Sequence, residues 1–223
     1  MSAAADYDLI VVGGGPAGTT LATLVAKAGH RVLLLDAQRF PRYQIGESLL
    51  PATFNGVFPL LGLEVDPQAL GAPTLKRGAT FHWGRESTLW TLNFGGAPDD
   101  VEPGPEWPTA FNVRRDVFDR VLLDHARRCG VDVHEGARVT AFDADEERVR
   151  GVQVVEAGRA WAARAAWVAG ANGQASGLAP LVGEHQPSAF FRNAALFSYF
   201  LGGQRLPSPL EGNVLLESFG DGW

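Results

Sequence analysis

The chain has 223 residues, 46% of them hydrophobic and 20% charged, with a formal net charge of −6. This is the composition of a globular chain, and the acidic balance without a basic run argues against nucleic-acid binding. A single cysteine, Cys129, excludes an intrachain disulfide. With no visible signal peptide and no apolar run of membrane-spanning length, a cytoplasmic setting is expected.

The hydrophobic strand Asp6–Val12 runs into Gly13-Gly14-Gly15-Pro16-Ala17-Gly18, a G-x-G-x-x-G turn that opens a helix. Gly13 suits the tight turn, Gly15 a close backbone approach to a pyrophosphate, and Gly18 close helix–strand packing. Ala17 lies in the same turn. Pro16 fits the first helical position, whose N–H has no intrahelical partner. The phosphates are expected at the helix N-terminus. Leu21, Leu24 and Val25 predict the apolar face of this helix and Gly29 its end. Arg31–Leu35 is the next strand, followed by Asp36, whose carboxylate can accept hydrogen bonds from a ribose.

Residues 38–51 read as a long ordered loop leading into a short helix. Thr74–Trp83 alternates, with Leu75, Arg77, Ala79, Phe81 and Trp83 on one face and Thr74, Lys76, Gly78, Thr80 and His82 on the other. A turn over Gly84–Ser87 and a returning strand over Thr88–Phe94 complete a hairpin, and Gly95–Pro108 reads as a surface loop. Arg114–Cys129 is predicted helical with Val117, Val121 and Leu122 inward. Val131–His134 is placed at the edge of the first sheet. Val139–Phe142, Val149–Glu156 and Arg159–Trp161 form a meander, Ala165–Ala169 a separate buried strand, and Phe190–Leu201 and Val214–Phe219 two more. The order predicts an α/β fold: a Rossmann-like FAD-binding domain of the flavoprotein monooxygenase type with an inserted antiparallel β-sheet. Residues 1–73 and 109–180 are then mainly nucleotide-binding, and 74–94 and 187–223 mainly the substrate-side sheet.

The chain resembles the flavin-dependent halogenases, particularly those acting on aromatic groups tethered to carrier proteins. The resemblance is carried by Phe40–Pro51 (F-P-R-Y-Q-I-G-E-S-L-L-P), by Leu75–Gly84 (L-K-R-G-A-T-F-H-W-G), and by Val113–Asp119, similar to the family's V-x-R-x-x-F-D segment. Gly170-Ala171-Asn172-Gly173 is similar to a later flavoprotein segment, with Asn172 where aspartate is usual. A W-x-W-x-I-P segment and a later G-D motif that meets the flavin ribityl chain do not follow Trp223, and Gly220-Asp221 reads as a turn. The resemblance therefore implies the N-terminal portion of such an enzyme, inactive alone.

It also implies chlorination of an electron-rich substrate with reduced FAD, oxygen and chloride or bromide. The substrate would be a small molecule, free or held on an acyl or peptidyl carrier protein, and a separate flavin reductase is implied. Lys76 would be the catalytic amine that activates the chlorine beside the substrate; its plainer reading is a solvated strand lysine. Glu47 and Ser48 match the family's flavin-side loop, and Ser48 also reads as a helix cap. Arg42 and Arg115 are candidates for phosphate or flavin contacts, with surface ion pairs as the alternative. Arg39 is a second arginine in that loop. The five histidines show no metal-ligand spacing; only His82 shares a face with Lys76. Gly173–Gly177 misses the nucleophile-elbow spacing by one residue, which removes hydrolase chemistry. An FAD-dependent aromatic hydroxylase, in which Lys76 is incidental, and a non-catalytic flavin-binding fragment stand as alternatives.

Overall fold

A computed structural model of the chain describes residues 5–84, 88–96, 108–175, 177–184, 186–191, 194–220 and 222. The chain divides into two compact units, Met1–Gln44 with Arg115–Phe191, and Ile45–Arg114 with Arg192–Trp223.

The first unit is built on a six-stranded sheet of β1 (Tyr7–Val12), β2 (Val32–Asp36), β7 (Asp132–Glu135), β8 (Ala137–Ala144), β9 (Val149–Glu156) and β10 (Arg159–Gly170), in the order β7-β2-β1-β10-β9-β8. Strands β7, β2, β1 and the second half of β10 run parallel; the first half of β10 pairs antiparallel with β9, and β9 with β8. Strand β2 is buried throughout, as a parallel strand covered on both faces must be. Leu9, Val11, Val32 and Leu34 pack on one face with Leu123 and Ala126 of α3 (Arg115–Arg128) and Ala22 of α1 (Pro16–Lys27). Ile10, Val12, Leu33 and Leu35 pack on the other with Ala137, Val152, Val154 and Ala163 of the meander.

Three expectations change here. The meander's last strand and the strand expected at Ala165–Ala169 are one continuous β10, because no turn residue interrupts it and its two halves simply change partner. Helix α1 buries Gly18, Thr19, Ala22 and Thr23, whereas Leu21 and Leu24 are partly exposed. Close packing under the glycine turn selects small residues on that face. Helix α3 buries Phe118, Leu122, Leu123 and Ala126 rather than Val117 and Val121, and it buries a carboxylate, Asp119, among them.

The second unit holds two small sheets. In one, β11 (Val214–Glu217) lies parallel to β4 (Gly78–His82), which pairs antiparallel with β5 (Trp90–Asn93). In the other, β3 (Thr74–Lys76) pairs with β6 (Ala110–Asn112). Thr74–Trp83 is thus two strands. Asn213 Oδ1 accepts the N–H groups of both Arg77 and Gly78, at 3.0 and 2.9 Å, where the chain leaves one sheet for the other. The polar face is the inward one: Lys76, Gly78 and Thr80 are buried while Leu75 and Trp83 are exposed. Thr80 is satisfied there by the Thr91 hydroxyl at 3.1 Å.

After residues 38–50 the chain forms a short helical stretch through a wide turn at Thr53–Val57 into α2 (Phe58–Leu61). In the first unit α4 (Ala179–Val182) is a single turn. The strand expected over Phe190–Leu201 is absent among the described residues there, which are irregular and largely exposed. Their aromatic content favours a strand only where a pleated surface is available to cover them. The turn at 85–87, most of the loop at 97–107, and Asp221 lie outside the described residues, and no helix among those described is long and apolar enough to cross a membrane.

Candidate functional site

In the first unit the glycine turn is shaped by contacts that leave no room for side chains. A Cβ on Gly18 would lie 1.9 Å from the Gly13 carbonyl oxygen, and one on Gly13, whose φ is +114°, would lie 2.5 Å from that of Ala171. The Ala171 N–H donates to the Val12 carbonyl at 2.7 Å, so the Gly170–Gly173 segment braces the turn from behind. Gly15 differs from both. Among the described residues a Cβ there would meet only Arg42 Nη2, at 3.5 Å, so this glycine leaves a cradle in front of α1. Gly15 caps the helix without a side chain, and Thr19 makes the first backbone bond back to it at 2.9 Å. The N–H groups of the first turn, Ala17's among them, therefore have no intrahelical acceptor and present the positive end of the helix dipole. This cradle fits a pyrophosphate.

Asp36 closes the turn from the end of β2. Its Oδ2 accepts the Gly14 N–H at 2.7 Å and its Oδ1 accepts the Gln38 N–H at 2.8 Å. Each oxygen keeps a further lone pair, so the carboxylate can accept from ribose hydroxyls while fixing the loop.

Arg42 and Arg115 meet at one carboxylate. Arg115 donates through Nε and Nη2 to the two oxygens of Asp119, at 2.8 and 2.9 Å, and Arg42 Nη1 pairs with Asp119 Oδ2 at 3.4 Å. The Arg42 guanidinium also stands 4.6 Å over the Phe40 ring. Phe40 is held at both backbone ends, its N–H donating to Glu135 Oε2 at 2.5 Å and its carbonyl accepting from Arg120 at 3.1 Å. Burial alone would raise the Glu135 carboxyl, but the Phe40 N–H and Arg127 hold it below the ordinary 4.5. Arg39 packs instead beside Gly136. Asp119 closes the V-x-R-x-x-F-D segment without a role of its own in the sequence; its signal there is a carboxylate four residues after an arginine, inside the apolar stripe of a helix.

In the second unit Lys76 is 6% exposed. Its amine donates to the Leu49 carbonyl at 3.1 Å and lies 5.3 Å from the centre of the Phe94 ring. Burial lowers its pKa from the ordinary 10.5. The segment bearing Glu47 and Ser48 runs along β6: the Val113 N–H donates to the Glu47 carbonyl, the Leu49 N–H to that of Phe111, and Ser48 pairs with Asn112 as an antiparallel bridge. Ser48 therefore caps no helix. Glu47 Oε1 accepts the Tyr199 hydroxyl at 2.9 Å. Lys76, paired with Ala110 on the same β6, is thus gathered with Glu47 and Ser48 around one strand. His82 sits elsewhere, paired with Glu217 at 3.1 Å. Among the described residues no group of three or more His, Cys, Asp and Glu is placed to hold a metal.

This fold, with its glycine turn, is that of a flavoprotein. The profile of the family described as FAD binding domain matches residues 6–196, and the chain belongs to that family. Its relatives narrow the class. The chain is 32% identical over 218 residues to a tryptophan 2-halogenase of Chondromyces crocatus, matching 96% of this chain and 40% of that protein. It is 30% identical over 210 residues to a pyrrole-2-carbonyl-(peptidyl-carrier protein) chlorinase of Pseudomonas fluorescens, matching 87% and 45%. Among solved structures, the myxobacterial chondrochloren halogenase CndH, a variant of the FAD-dependent halogenases, superposes with a TM-score of 0.89 at 45% identity, over 97% of this chain and 48% of that one. The chain spans under half the length of these relatives.

Proposed function

We propose that this chain supplies the FAD-binding and lysine-bearing part of a flavin-dependent halogenase. The observation that carries the reading is Lys76, a buried amine with a depressed pKa, held at the backbone of the Glu47–Leu49 segment. A buried lysine with no carboxylate partner among the described residues is costly, and such sites are more often functional than structural.

In this reading FAD binds through its diphosphate at Gly13–Gly18, with Arg42 beside the phosphates and Asp36 on the adenosine ribose. Arg115 acts at the same end through Asp119. Glu47 and Ser48 border the flavin ring. Reduced FAD, when bound, activates oxygen and thereby supplies the oxidising equivalent for halide. The protein's part is orientation and exclusion of water. Lys76 presents Nζ from a strand, so little freedom is lost when it holds the electrophilic halogen next to an aromatic substrate. Its lowered pKa raises the fraction of neutral amine available to do so.

The relative named as a pyrrole-2-carbonyl chlorinase supports a substrate delivered on a carrier protein. In this reading a separate flavin reductase supplies the reduced flavin. A cytoplasmic setting suits a chain with one cysteine.

The test is product mass. Protein loaded with FAD is given a chemical reductant, air and a panel of phenol, pyrrole and indole substrates, free and as carrier-protein thioesters. Halogenated product with chloride or bromide, and none without halide, is expected. Halide-independent oxygenated product would favour a hydroxylase.

A further inference from the structure

We infer that Asp119 is the positioning residue of the phosphate cradle: it draws the Arg42 guanidinium into place so that Nη2 faces Gly15. This rests on the reading that a diphosphate occupies the Gly13–Gly18 turn.

Asp119 is fully buried on α3, between Phe118 and the Leu122–Leu123 pair, where packing alone calls for an apolar side chain. A carboxylate in such a place is strongly unfavourable unless both oxygens are paired. Here both are, and each by a guanidinium. The two arginines are not equivalent. Arg115, one helical turn before Asp119, gives it Nε and Nη2 in a bidentate fork. Arg42 arrives from the loop after β2 and gives it only Nη1, which also reaches Gln44 Oε1 at 3.4 Å. The other terminal nitrogen of Arg42, Nη2, is the one atom of the described residues within 4 Å of where a Gly15 Cβ would stand.

The charge count makes the role distinguishable. Within this cluster, leaving aside the Asp36 carboxylate on Gly14, two guanidiniums and one carboxylate leave a single positive charge. Asp119 opposes a bound diphosphate by its own charge and favours it only by holding Arg42. If it acted through charge, removing it would strengthen binding. If it acts through position, removal weakens binding, and only while Arg42 is present.

Calorimetric titration with ADP of the wild-type chain, Asp119→Asn, Arg42→Ala and the double variant decides the matter. Asp119→Asn should lower ADP affinity about tenfold with Arg42 present, the scale of a lost charge-assisted contact. In the Arg42→Ala background it should change affinity by less than about twofold. Riboflavin, which lacks phosphates, should bind all four chains alike. Equal losses in both backgrounds, or tighter ADP binding by Asp119→Asn, would overturn the inference. If Asp119→Asn does not fold, Arg42→Lys gives the answer. It keeps the charge but cannot span Asp119 and Gly15, so it should also lose about tenfold; wild-type affinity in that variant overturns the inference. A wild-type chain that fails to bind ADP removes the cradle itself. Absence of halogenation with the ADP cycle intact bears only on the proposed activity.

Discussion

The Asp36 carboxylate accepts the Gly14 N–H at 2.7 Å, tying the end of β2 to the middle of the glycine turn. In the proposed reading this one side chain both shapes the phosphate cradle and meets the ribose. Asp36→Asn keeps its size but loses its charge and one acceptor. FAD and ADP affinity should fall by roughly 1–3 kcal/mol, the scale of a hydrogen bond to a charged group, while riboflavin binding is unchanged. Fluorescence titration with the three ligands checks this, and undiminished ADP affinity would remove Asp36 from the site.

Gly18→Ala tests the turn from the packing side. Its added methyl would lie 1.9 Å from the Gly13 carbonyl oxygen, and backbone cannot give way as a flexible side chain does. Overpacking of this kind costs about 1–3 kcal/mol. Urea unfolding should show that loss together with weakened ADP binding. Gly183→Ala is the control: the residue is extended at φ −175° with nothing within 4 Å, so its effect should stay within about 0.5 kcal/mol.

Much of the first unit was legible because its signals are local. A hydrophobic strand, a glycine turn, a helix and an acid-tipped second strand lie in sequence order, and each is dictated by its own residues. Two kinds of error had physical causes. Thr74–Trp83 reads as one strand although it is two, and its alternation shows that two faces differ, not which one is covered. Asn213, remote in sequence, and Thr91 on the returning strand make the polar side the inner one. Phe190–Leu201 has the composition of a strand but no ladder among its described residues, since pairing depends on a neighbour that composition does not specify. Asp119, the last residue of the V-x-R-x-x-F-D segment, showed no role of its own for a related reason: its meaning depends on Arg42, which lies 77 positions away in sequence and meets it only in the fold.

Glu135 clamps the loop that carries Arg42, and its lowered pKa fixes a pH dependence. A carboxyl depressed in the folded state stabilises the fold above its unfolded value, here the ordinary 4.5, and that contribution fades as pH falls through the folded pKa. Glu135→Gln should therefore be less stable than wild type near neutrality, with the gap narrowing below 4.5. Chemical unfolding of both chains across that range measures it. A gap that stays constant with pH would mean that the charge contributes nothing.

The role of Lys76 as the halogen-handling amine is tested most directly by the product mass made by Lys76→Ala. Full-length protein carrying this chain, loaded with FAD and given reductant, air, chloride and the substrate that the wild type halogenates, should oxidise reduced flavin at a near-normal rate. It should give no chlorinated product, and Lys76→Arg should fail likewise, because a delocalised guanidinium does not reproduce a compact amine. Chlorination by Lys76→Ala at the wild-type level would contradict the account and return Lys76 to a packing role.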